Sequence, residues 1–159
     1  MEKKVKIISG DFSKRNLRIG IVASKFNDFI VDKLLSGAID SLISHSVDLN
    51  DIQVVWVPGA YETPLALKKL AASRRFDGLV ALGCVIRGET NHFDYVAGEA
   101  SSGIASVMRE FEIPIGFGLL TVDNVEQATH RAGSKAGNKG SEAAISTLEM
   151  ISVLSKLDS

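Results

Sequence analysis

The chain has 159 residues, 45% hydrophobic and 23% charged, and its 18 Lys and Arg against 19 Asp and Glu leave a net charge of -1. That length fits a single domain over residues 1–159 with a core that needs no covalent staples. The charge balance argues against nucleic acid and a polybasic membrane anchor, the lone Cys84 excludes a disulfide framework and a cysteine-rich zinc site, and no apolar stretch approaches the ~20 residues that span a bilayer.

The start, Met1 to Lys6, is charged and lacks the apolar run of a signal peptide, so the expected compartment is the cytoplasm. Val5 to Ile8 is a candidate strand, set apart by the polar stretch Asp11 to Asn16. Such an arm can pair at a sheet edge of its own subunit or of a neighbour. Arg18 to Ala23 reads as the first buried parallel strand. Ile30, Leu34, Ala38 and Leu42 then recur every four residues, which predicts a helix between Asn27 and His45. Ile52 to Val57 is the second strand. Thr63 before Pro64 predicts a capped helix start, with the helix ending near Ser73. Gly78 to Gly83 is the third strand. A helix beginning near Phe93 or Asp94 carries Val96, Ala100, Ile104, Val107 and Phe111, and Pro114 follows where it must stop. Ile115 to Thr121 is the fourth strand. Asn124 caps a short helix that ends before Gly133, and Ala143, Leu148, Ile151 and Leu154 mark the last helix. Strands and helices in this alternation make βαβ units, hence an α/β fold with a parallel sheet covered on both faces.

The unusual residues follow the strands: Ser24 to Asn27, Pro58 to Glu62, Cys84 to His92, and Val122 to Asn124. In an open parallel sheet these loops share the carboxyl edge, where ligands bind, so they point to a small-molecule site. Phe26 is open to two readings, stacking on a flat heterocycle or a hydrophobic staple on the next helix. Gly88 to Asn91 leads into a helix start that favours anions, though Thr90 and Asn91 also serve as ordinary caps. The P-loop pattern is missing, and Gly116-Phe117-Gly118 is no dinucleotide fingerprint. His92, at the mouth of the expected pocket, suits proton transfer near neutral pH, or else is a surface histidine. The three histidines have no metal-ligand spacing. Cys84 among apolar neighbours reads as a packing residue rather than a nucleophile. Arg131, Lys135 and Lys139 recur every four residues across a glycine-broken turn, where Arg131 offers a fork for phosphate or simply a solvated basic turn.

Phe26-Asn27-Asp28-Phe29-Ile30, Trp56-Val57-Pro58-Gly59-Ala60-Tyr61-Glu62, Gly83-Cys84-Val85-Ile86-Arg87-Gly88 with His92, and Arg131-Ala132-Gly133 with Ala136-Gly137-Asn138-Lys139-Gly140 stand in this order. Together, over roughly Val5 to Leu154, they resemble the 6,7-dimethyl-8-ribityllumazine synthase family. The resemblance implies a flavodoxin-like three-layer sandwich, a central four-stranded parallel sheet with helices on both faces, and an N-terminal arm strand. It implies a transferase of riboflavin biosynthesis that works without cofactor or metal. Its two small-molecule substrates are 5-amino-6-(D-ribitylamino)uracil and (S)-3,4-dihydroxy-2-butanone 4-phosphate. By the same resemblance His92 transfers protons. Phe26, Ala60, Tyr61, Glu62, Cys84, Val85 and Ile86 hold the pyrimidine and its ribityl chain, joined by Phe117 from a neighbouring subunit. Glu89 and Thr90 lie in the phosphate loop, with Arg131 supplied by the neighbour; Asn27 and Lys139 are supporting positions. Glu89 stands where many relatives carry a small residue, so its backbone N–H, with the side chain turned to solvent, is the expected phosphate contact. The family implies a homo-oligomer: pentamers, in many cases sixty-subunit icosahedral capsids, with riboflavin synthase as a candidate partner. Two rival readings use the same residues, a non-catalytic flavin- or pyrimidine-binding module and a shell protein without activity.

Overall fold

The computed structural model describes residues 4–134 and 137–159. Lys135, which spacing groups with Arg131 and Lys139, lies outside the described residues, as does Ala136. Four strands, β1 (Ile19–Ser24), β2 (Ile52–Val57), β3 (Gly78–Ile86) and β4 (Ile115–Val122), form one parallel sheet in the order β2-β1-β3-β4. Among the described residues, five α-helices connect and cover it: α1 (Asp28–Ser44), α2 (Thr63–Ala72), α3 (His92–Phe111), α4 (Val125–Arg131) and α5 (Lys139–Leu157). None of the described helices is long and apolar enough to cross a membrane.

Every residue of β1 is buried. A parallel strand with neighbours on both sides and helices on both faces has no solvent side, which is why it reads as an unbroken apolar run. Its side chains alternate between two cores. Ile19, Ile21 and Ala23 pack with Ile30 and Leu34 of α1 and Ala144 and Leu148 of α5. Val22 packs with Leu67 and Leu70 of α2 and Ile104 and Val107 of α3. The layers are therefore α1 with α5, the sheet, and α2 with α3.

Several boundaries depart from the expectation. β3 continues past Gly83, because Cys84, Val85 and Ile86 pair with Leu120, Thr121 and Val122 of β4; these residues are strand, not loop. Thr63 is not the cap of α2: it has helical dihedrals, and its hydroxyl donates to the Gly59 carbonyl at 3.4 Å. α5 starts at Lys139, earlier than its apolar stripe, because the side chain of Asn138 accepts from Ser141 N–H at 3.0 Å. The Asn138 amide also donates to Lys33 O of α1 at 3.0 Å. Gly140 lies so close to the Leu34 backbone that no Cβ would fit. The turn before it closes with Gly133 N–H donating to Gly137 O at 2.8 Å, and Gly133 takes a φ of +111° that an L side chain resists.

The N-terminal arm adds no strand to the sheet of its own chain among the described residues, and Val5 and Ile7 are 80% and 82% exposed. Its root is fastened to helices instead. Lys156 Nζ donates to Asp11 Oδ2 at 2.8 Å, Asp11 N–H donates to Ser152 Oγ at 3.0 Å, and Phe12 packs on the His45 ring with centroids 4.6 Å apart.

Candidate active site

After β1 the chain crosses to β2 on one side, while β3 lies on the other side of β1. This reversal opens a crevice at the carboxyl ends of β1 and β3. A cleft of about 580 Å³ lies there, within the roughly 300–1,000 Å³ usual for small-molecule sites.

The first wall is the loop after β1. Lys25 N–H donates to Val57 O at 2.8 Å and Phe26 N–H to Pro58 O at 3.2 Å, so the loop extends the pairing of β1 with β2. Asn27 then turns the chain with a φ of 61°, a left-handed conformation that asparagine tolerates. Its side-chain amide donates to Cys84 O at 2.8 Å, tying this loop to β3. The Phe26 side chain is 71% exposed and lines the cleft. A staple would be packed against its helix, so the exposure decides against that reading.

The second wall is a single 3-10 turn at Ala60–Glu62, closed by Glu62 N–H donating to Gly59 O at 3.2 Å. Buried Ala60 and exposed Tyr61 and Glu62 all face the cleft. The floor is the end of β3, where Cys84, Val85 and Ile86 line the same space. Burial pushes the Cys84 thiol up to about 11, which leaves it protonated near neutral pH and unfit as a nucleophile. The last wall is Gly88, Thr90 and the first turn of α3, with His92 at its start. Thr90 Oγ1 accepts from His92 N–H at 3.3 Å, so the hydroxyl serves as a cap while its residue borders the cleft. Glu89 is exposed and is not part of the wall formed by Gly88 and Thr90 on either side of it.

Phe117, Arg131 and Lys139 are not brought to this cleft. They border a separate depression of about 420 Å³ along β4, together with Glu142. β4 is an edge strand, and Phe117 stands 40% exposed on it. Arg131 closes α4, its guanidinium donating to Gln127 O at 3.2 Å. The two regions divide the chemistry. Among the described residues, those lining the cleft include a histidine and no lysine or arginine, and those lining the depression include Arg131 and Lys139 and no histidine.

Phe93 and Tyr95 also line the cleft, and sequence reasoning did not single them out. Their signal is faint: in the turn that carries His92, Phe93 continues the apolar stripe of α3 and Tyr95 stands on the opposite, exposed side. Tyr95 is 75% exposed. Arg87, at the end of β3, meets Asp123 and Asp94 and stacks on Phe93.

Comparison with known proteins gives one answer over nearly the whole chain. The family profile described as 6,7-dimethyl-8-ribityllumazine synthase matches residues 16–155. A protein of that name from Desulfovibrio desulfuricans is 56% identical over 153 residues, covering 96% of this chain and 98% of the relative. Proteins of the same name from Nitratidesulfovibrio vulgaris strains DP4 and Miyazaki F are 54% and 52% identical with the same coverage.

Proposed function

The chain belongs to the 6,7-dimethyl-8-ribityllumazine synthase family, and from that premise we propose that the cleft at the ends of β1 and β3 is its reaction chamber. The reaction condenses 5-amino-6-(D-ribitylamino)uracil with (S)-3,4-dihydroxy-2-butanone 4-phosphate, giving 6,7-dimethyl-8-ribityllumazine, phosphate and water. The observation that carries the placement is that Phe26, Ala60 to Glu62, Cys84 to Ile86 and His92, from four separate segments, border one cleft.

Phe26 presents an exposed ring on which the pyrimidine stacks. Ala60 to Glu62 and Cys84 to Ile86 hold its edge and the ribityl chain. Gly88 and Thr90, in the exposed segment that leads into the start of α3, receive the phosphate; the Glu89 backbone joins them. An amine of the pyrimidine attacks the ketone and forms an imine, phosphate leaves, and the second amine closes the ring. Each step moves protons, and His92 takes and returns them. Holding two reactants side by side supplies much of the acceleration, up to ~7–11 kcal/mol in favourable cases.

The cleft needs a cation for the phosphate, and among the described residues of one chain none lines it. Arg131 and Lys139 from a neighbouring subunit meet that need, with Phe117 covering the pyrimidine. The assembly is a ring of five, compatible with a shell of sixty. The exposed arm at Val5 to Ile8 pairs with a neighbour's sheet edge by β-augmentation, and the cytoplasm is the compartment.

The test is a turnover assay with both substrates, run beside a mass measurement of the assembly. Lumazine formed by a multi-subunit particle is the expected result. A monomer of full activity would defeat the shared site, and no lumazine from an intact assembly would defeat the catalytic reading.

A further inference from the structure

The geometry points to Arg87 as a positioning residue that sets where His92 stands. Its backbone N–H donates to Val122 O at 2.8 Å, so its main chain belongs to the rigid β3–β4 ladder. Its guanidinium reaches three partners. Nε lies 3.2 Å from Asp123 Oδ1, Nη2 lies 3.7 Å from Asp94 Oδ1, and the group sits over the Phe93 ring at 4.4 Å from the centroid. Asp123 is itself held, its N–H donating to Gln127 Oε1 at 2.7 Å in a helix capped by Asn124. One end of this strap is thus the sheet and α4. The other end is the first turn of α3, which carries His92 between Thr90 and Phe93.

That turn needs a strap. His92, Asp94 and Tyr95 are exposed, and the fully buried residues of α3 begin only at Ala100. The segment leading into it, Gly88 to Asn91, is exposed and has no strand pairing. Among the described residues, the only ion pair made by the first turn of α3 is the one from Asp94 to Arg87. Each contact is exposed and weak alone, but a planar fork with two carboxylates and an aromatic face has few orientations that satisfy all three. A shift of about 1 Å in a reacting group can cost on the order of 10²-fold in rate, so a modest loosening of this turn is costly.

This inference rests on the role given to His92 above, and the experiment keeps the two apart. Arg87→Met, His92→Ala and the double variant are assayed in the assembled full-length chain, with particle mass checked for each. Arg87→Met should lower kcat about 10-fold, while the KM for the pyrimidine stays within about 2-fold because Phe26 and Ala60 to Glu62 sit on other loops. In the His92→Ala background the same substitution should cost less than about 2-fold, since a residue acting through His92 has nothing left to position. Hydrogen exchange should quicken at residues 88–95 in Arg87→Met and stay unchanged at 19–27. Equal losses in both backgrounds, an unchanged kcat, or unchanged exchange would overturn the strap. A wild-type chain that makes no lumazine would overturn the catalytic reading instead. Should Arg87→Met not assemble, Asp94→Asn, which leaves Arg87 and Asp123 paired, enters the same cycle with the same criteria.

Discussion

The cleft at the ends of β1 and β3 and the depression along β4 are complementary in what they lack. The cleft has walls from four segments and a histidine, yet among the described residues no cation lines it. The depression has Arg131, Lys139 and an exposed aromatic on an edge strand, yet among the described residues no histidine lines it. A phosphorylated substrate needs both sets. The proposed subunit junction would bring the two sets side by side.

The largest effect expected is on the cleft side of that comparison. His92→Ala should slow turnover by about 10²–10⁴-fold while leaving residual activity, measured as steady-state lumazine formation at saturating substrates. An unchanged rate would remove His92 from the chemistry. The depression side should respond differently. Arg131→Ala removes a charge-assisted contact and should raise the KM for the phosphorylated substrate about 10- to 100-fold, with the pyrimidine KM little changed. Co-assembling the two variants sharpens the comparison. If each site takes His92 from one subunit and Arg131 from the next, random mixing restores both groups at roughly one site in four. If both groups act within one chain, mixing restores nothing.

Much of this division is absent from the sequence for a physical reason. Apolar runs report burial, so β1 is legible to within one residue at each end and the buried stripe of α1 in all but Val31, and the loops after the strands locate the cleft. Exposed aromatics carry no such signal: Phe26 and Phe117 look alike, and only the fold puts one on the cleft and the other on the sheet edge. Phe93 escapes because it continues the apolar stripe of α3 and reads as one more packing residue, and Tyr95 because it stands on the opposite, exposed side. The end of β3 escapes because Gly83 reads as the end of the strand, while the pairing of Cys84 to Ile86 depends on Leu120 to Val122 of β4, far along the chain. The roles of His92 and Arg131 come from resemblance; spacing alone leaves each with an ordinary alternative.

A smaller effect separates stacking from burial. Phe26→Ala should raise the pyrimidine KM roughly 2- to 10-fold, the range of one aromatic stacking contact, with little loss of thermal stability because the ring is largely exposed. A large fall in melting temperature would mean that the ring is a packing residue after all, and would return Phe26 to the staple reading.

The smallest effect lies outside both regions, at the root of the N-terminal arm. Lys156, with Ser13, holds the Asp11 carboxyl well below the usual carboxylate range. The folded value lies under the unfolded one, near ~3.9. The tie therefore contributes fully above about pH 4 and is lost as the carboxylate protonates below it. Asp11→Asn should lower the denaturation midpoint slightly at pH 7, and the gap to wild type should close progressively below about pH 4. Turnover per assembled site should not change, because Asp11 borders neither the cleft nor the depression. A gap of equal size at both pH values would show that the charge on Asp11 is not what fastens the arm to α5, leaving the Asp11 N–H to Ser152 bond and the packing of Phe12 on His45 to hold it.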